Sequence, residues 1–163
     1  MATITATMTA ITKMVRGRME AVLLNSIVGQ PNLNSVQHLV EQIADFTSHF
    51  GTTKWGGKHG FLPLILSKAK VRLAARDKTL DCKRLANPDI LNPKMDDNKK
   101  GRNILQIQED QRVQWKEYTF QEVVDSMAVE AIAAAVDAQY VNDLEEDYVG
   151  YKHQTIKMMV TQL

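Results

Sequence analysis

Apolar positions along this chain recur mostly at helical intervals, and no run alternates apolar with polar residues long enough to argue for a sheet. After Pro31, Val36, Leu39, Val40, Ile43 and Phe50, with Ala44 and Phe46 alongside, predict an amphipathic helix capped by Asn32 or Asn34 and stopped by Gly51. Phe61, Leu62, Leu64, Ile65, Leu66 and Ala69 predict a short buried helical segment, with Pro63 tolerated in its first turn. Further on, Ile104, Ile107, Trp115 and Tyr118 share a helical face. Thr119-Phe120-Gln121-Glu122 then matches a capping box at the start of another helix. That helix points Phe120, Val123, Val124, Met127, Ile132, Ala135 and Val136 at a core and runs to about Leu144; the alternative is one long rod. Gly150 permits a turn, and Ile156, Met159, Val160 and Leu163 fit a final helix.

The expected fold is therefore all-α, an irregular helical domain with a Gly-rich loop and a long central connection. Four glycines among residues 51–60 define the loop, and Pro88, Pro93 and the polar run Asp96 to Arg102 define the connection. The first 30 residues read as weakly structured, since their one helical face (Val15, Met19, Val22 and Leu23) is interrupted by Gly17. The organisation expected is a flexible segment over 1–26 and a helical domain over 27–163.

A chain of 163 residues forms one domain with a real core. Its net charge of +1 exerts no overall pull on phosphate or membranes, so an electrostatic partner has to be met by a local patch. Cys82 is the only cysteine, which excludes an internal disulfide framework. The longest apolar stretches, Phe61 to Leu66 and Ala131 to Val136, fall far short of the ~20 residues that span a bilayer. A cytoplasmic protein with no membrane contact is expected. Residues 1–19, with Lys13, Arg16 and Arg18 and no acid, are a weak organelle-targeting candidate.

Candidate chemistry is sparse. A phosphate-binding loop needs a glycine separated by four residues from Gly-Lys and then Ser or Thr, but Gly57-Lys58 has Thr52 at that place and is followed by His59. His38, His49, His59, His153 and Cys82 show no metal-ligand spacing, and no nucleophile elbow is present. The expectation is a non-enzymatic protein with no cofactor, no metal and no catalytic residue. Lys68, Lys70, Arg72, Arg76, Lys83 and Arg84 are candidate contacts for RNA phosphate, although no aromatics are interleaved to stack bases. Asp143, Glu145, Glu146 and Asp147 form an acidic cluster read either as a solvated turn or as a complement to the basic stretch on a neighbouring molecule.

Ile27-Val28-Gly29-Gln30-Pro31, then Thr52-Thr53-Lys54-Trp55-Gly56-Gly57-Lys58-His59-Gly60-Phe61-Leu62, resemble the "IVGxP … TTxGGGxHGHLGLVLS" pattern near the start of Gag-like proteins of copia-type LTR retrotransposons, particularly those of algae and diatoms. Ala131 to Tyr140, Leu144, Gly150-Tyr151, Thr155 and Met158 to Leu163 are similar to the same family's "Y…L…GY…T…M…L" stretch. The residues that carry the loop resemblance are Thr52, Thr53, Gly56, Gly57, His59 and Gly60; Trp55, Phe61 and Pro63 depart from the pattern. The resemblance implies a capsid-like helical domain, diverged or truncated at its C-terminus, that self-associates and packages RNA without a zinc knuckle of its own. Self-association is then expected through Ile132, Val136, Met159 and Leu163 on the last two helices. The alternative is a helical adaptor that binds a partner within a larger complex.

Overall fold

The computed structural model describes residues 2–22, 24–52, 57–88 and 104–163. Among them the chain is all-α. Helix α1 spans Ala2–Ala21, α2 Leu33–Ser48, α3 Lys68–Ala75, α4 Ile104–Ala135 and α5 Ile156–Gln162, with 3-10 turns at Gly57–His59, Leu62–Leu64, Ala138–Tyr140 and Asn142–Leu144. Strand-like pairing among these residues is limited to two isolated bridges, Ile27 with Val136 and Glu146 with Gly150.

The N-terminal segment departs from expectation. Residues 2–21 form a helix that packs along α4, with Ile11 and Val15 buried one turn apart and Met19 and Val22 extending the same stripe. Gly17 weakens the local preference for helix, but burial of two aliphatic side chains at roughly 1.5–3 kcal/mol each outweighs a glycine cost of about 1 kcal/mol. The Ile27 N–H donates to the Ala135 carbonyl at 2.7 Å and ties the following link to the end of α4. Leu23 lies outside the described residues, as does the connection from 89 to 103.

Asn32 caps α2 as anticipated: its side chain accepts from the Ser35 N–H at 2.9 Å while the Ser35 hydroxyl accepts from the Asn32 N–H at 3.0 Å. Leu39, Ile43, Phe46 and Thr47 form the buried face. The helix ends at Ser48, before Gly51, because the Thr47 carbonyl turns to accept the Phe61 N–H at 2.8 Å. All four phenylalanines then meet: Phe46 lies edge-on to Phe50 at 5.7 Å, and Phe120 sits against both Phe50 (5.9 Å) and Phe61 (6.4 Å). Pro63 does sit in a first turn, but of a 3-10 turn, and Ser67 starts a separate helix by accepting from the Lys70 N–H.

Of the two arrangements open for the last third, the rod is the one formed. α4 runs unbroken through Thr119, whose hydroxyl donates back to the Trp115 carbonyl at 2.9 Å and so caps nothing, while Glu122 turns to Arg84. Val124, Ala128, Val129, Ile132 and Ala135 line its buried side. The helix stops at Ala135, well short of Leu144, and two 3-10 turns fold Val141 into the core. Thr155 caps α5, which buries Ile156 and Met159 against α4.

Candidate functional site

Polar residues interrupt the apolar stripe of α4 at Gln121 and Asp125, one turn apart and both buried. Gln121 makes a two-way clasp with the backbone of Leu85, accepting its N–H at 2.8 Å and donating to its carbonyl at 3.1 Å. Asp125 accepts the Ile156 N–H at 3.0 Å, the first amide of α5, and pairs with Arg84 at 2.6 Å; Arg84 also reaches Glu122 at 2.8 Å. Burial raises the Asp125 carboxyl above its ordinary value, against the lowering pull of the Ile156 amide and Arg84. Burial works against the Arg84 charge too, but Asp125 and Glu122 together raise its pKa. Both values are raised, which favours the charge on Arg84 and opposes the charge on Asp125, the more deeply buried partner, so the ion pair is held at a desolvation cost. This cluster pins the 84–85 segment, α4 and α5 together. Polar residues at i and i+4 within an apolar stripe were its signal in the sequence.

The residues expected to carry association sit inside the molecule. Ile132 and Met159 are fully buried, Val136 nearly so, and Leu163 packs half-buried on the same cluster. Ile132, Val136 and Met159 have no free face to offer, and only Leu163 keeps partial exposure, so these residues do not form the expected association surface.

The motif loop is also partly architectural. Thr53 and Gly56 lie outside the described residues, and Thr52 precedes them at the end of the α2 exit. Gly57 and His59 fall in a 3-10 turn. Gly60 has φ +56°, and a Cβ there would stand 2.1 Å from the Phe50 carbonyl oxygen, so only glycine fits where the loop crosses the end of α2.

Three of the four histidines are engaged. His49 Nδ1 donates to the Asp45 carbonyl, which leaves Nε2 to accept from Arg18 and tie α1 to α2. His38 meets the Asn25 amide at 3.0 Å, and His153 lies 2.8 Å from Glu146. Among the described residues no three His, Cys, Asp or Glu side chains are grouped to hold a metal ion, and no helix is long and apolar enough to cross a membrane.

The basic stretch divides. Arg72 gives Nε and Nη2 to the Leu80 carbonyl at 3.2 and 3.0 Å, and Arg84 is bound to the acids of α4, so neither is free for phosphate. Lys68, Lys70, Arg76, Lys78 and Lys83 stay exposed, around Leu73, which is 80% exposed. At another place on the surface the acidic cluster lies in turns that follow α4, not on a helix end. There Glu146 pairs across a tight turn with Gly150, and Tyr148 at the tip is fully exposed with φ +70°.

Two concavities border α1. A groove of about 340 Å³ between α1 and α4 is lined by Met8, Thr12, Arg16, Tyr118, Val123 and Met127. A second, of about 530 Å³, shares Met8, Thr12 and Arg16 and follows the other flank of α1 past Lys13. Compared with family models, with curated proteins and with solved structures, the chain finds no match in any of the three.

Proposed function

We propose that this chain is a non-enzymatic assembly protein of the Gag-like, capsid type that its sequence resembles, and that it works through helical contact with further copies of itself. The observation that carries this reading is the groove between α1 and α4. Its lining combines the apolar Met8, Val123 and Met127 and the ring of Tyr118 with the charged Arg16, Glu122 and Glu130. Unbranched methionines adapt to a second helix laid into such a groove, and rim charges set its direction. Apolar and charged side chains that can bind a partner helix are gathered here.

Light scattering coupled to size exclusion tests the reading. The mass of the parent chain is expected to rise with concentration. Met8→Glu and Ser126→Arg place charge or bulk at exposed groove positions, and each is expected to shift the distribution toward monomer with its helical content intact. A parent that stays monomeric at every concentration overturns the reading; if that monomer purifies with a protein partner at fixed stoichiometry, the groove belongs to an adaptor.

A further inference from the structure

We infer that the acidic turn of one copy, with Tyr148 at its tip, docks on the basic face of α3 of the next copy, where Leu73 and Arg76 receive it. The inference rests on the assembly reading above and supplies that assembly with a second contact.

Each surface has an exposed apolar side chain among charges mainly of one sign, with Asp77 and Asp81 interrupting the basic stretch and Lys152 and His153 following the acidic one. On α3, Val71 is buried while Leu73 is 80% exposed; Lys70 and Arg76 stand three residues before and after it, Lys68 and Lys78 are exposed further along the chain, and none of the four has an ion-pair partner among the described residues. On the turn, Tyr148 is fully exposed, with Val149 beside it. Asp143, Glu145 and Asp147 also lack an ion-pair partner among the described residues, whereas Glu146 pairs with His153 and so holds the turn. An apolar anchor inside a charged rim has the anatomy of an interface hot spot, and rims of opposite sign steer the two together. The net charge of +1 makes these local poles the source of any steering.

Arg76 and Tyr148 share another property. Among the described residues they are the two non-glycine residues with positive φ, at 54° and 70°. Glycine suits both positions better, yet each carries a large side chain outward, and an arginine guanidinium beside a tyrosine ring is an attractive pair. Because the two patches differ, a contact between them is head-to-tail and leaves a free patch at each end. It therefore extends the assembly into a ring or an open chain, according to whether its rotation closes.

Sedimentation velocity on the full chain at low salt tests this. Lys68→Glu with Lys70→Glu makes the α3 face acidic, at positions in its first turn where acids suit the helix. Glu145→Lys with Asp147→Lys makes the turn basic. Each double variant alone is expected to lose growth beyond the oligomer formed by the groove contact, with association weakened about tenfold or more. An equimolar mixture of the two is expected to regain it, because each reversed surface then meets its complement. Restoration on mixing also establishes that both variants are folded. Tyr148→Ala is expected to weaken the contact roughly thirtyfold, as for a central aromatic anchor.

Variants that assemble like the parent, or a mixture that stays small, overturn the inference while the groove reading stands. Reversal at α3 that abolishes binding of a single-stranded RNA but leaves assembly unchanged makes the face an RNA surface, which also overturns it. A parent that never associates overturns both.

Discussion

Gly60 and Tyr148 both sit at positive φ, and they differ in what surrounds them. At Gly60 the backbone passes so close to the end of α2 that a Cβ would meet the Phe50 carbonyl at 2.1 Å. At Tyr148 the residue stands in open solvent. Packing dictates glycine in the first case. In the second, nothing in the fold requires a tyrosine, and the left-handed conformation makes it locally unfavourable. Tyr148 costs stability where the core gains nothing from it, and the proposed docking contact gives it a use.

Substitution sharpens the contrast. Gly60→Ala combines an unfavourable φ with a backbone clash and is expected to cost about 3 kcal/mol or more, read as a lowered urea midpoint. Asp125→Ala removes the acceptor of the first α5 amide and one partner of Arg84. Arg84 is about two-fifths exposed and is partly compensated by water and Glu122, so about 2 kcal/mol is expected in the same assay. Tyr148→Gly goes the other way. It is expected to raise stability by about 1 kcal/mol while weakening assembly, and a loss of both stability and assembly would dissolve the contrast with Gly60. Gly17→Ala, with nothing within 4 Å of the added methyl, is expected to stabilise α1 by roughly 0.5–1 kcal/mol and leave assembly unchanged.

Asp125 adds a pH dependence. Its folded pKa lies above the unfolded value because burial outweighs the Ile156 amide and Arg84. The folded state therefore holds this proton more tightly, and the contribution to stability is full below the ordinary carboxylate range and lost as pH rises through the folded value. Asp125→Asn removes that titration. Across a series of urea midpoints from acid to neutral pH, the parent is expected to lose ground relative to Asp125→Asn as pH rises. A difference that is flat with pH, or that moves the other way, contradicts the assigned balance.

How much of this could be read in the chain depended on whether a local signal had a rival. Asn32, Leu39, Ile43 and Phe46 marked α2 because cap and stripe agree, and Ile156 and Met159 marked α5 by their spacing alone. In α1 the rival was Gly17 with its threonine-rich surroundings, and the packing of Ile11 and Val15 on α4 decided the outcome. Thr119 carried a capping pattern, but in the middle of a packed rod its hydroxyl found the Trp115 carbonyl and Glu122 found Arg84. An apolar stripe states that it is buried and not by what, so Ile132, Val136 and Met159 read equally well as core or as interface. The opposite charges of the 68–84 and 143–147 stretches were visible as composition. The exposure of Leu73 and the left-handed backbone of Tyr148 depend on the tertiary fold and left no trace in spacing.

The central claim is that this chain works by binding copies of itself. Sedimentation velocity of the unmodified chain across a broad concentration range at low ionic strength tests it most directly. The account predicts a weight-average sedimentation coefficient that climbs with concentration and falls back when salt is added, since the charged contact is screened. A single monomer boundary, unchanged from the lowest concentration to the highest, would contradict it.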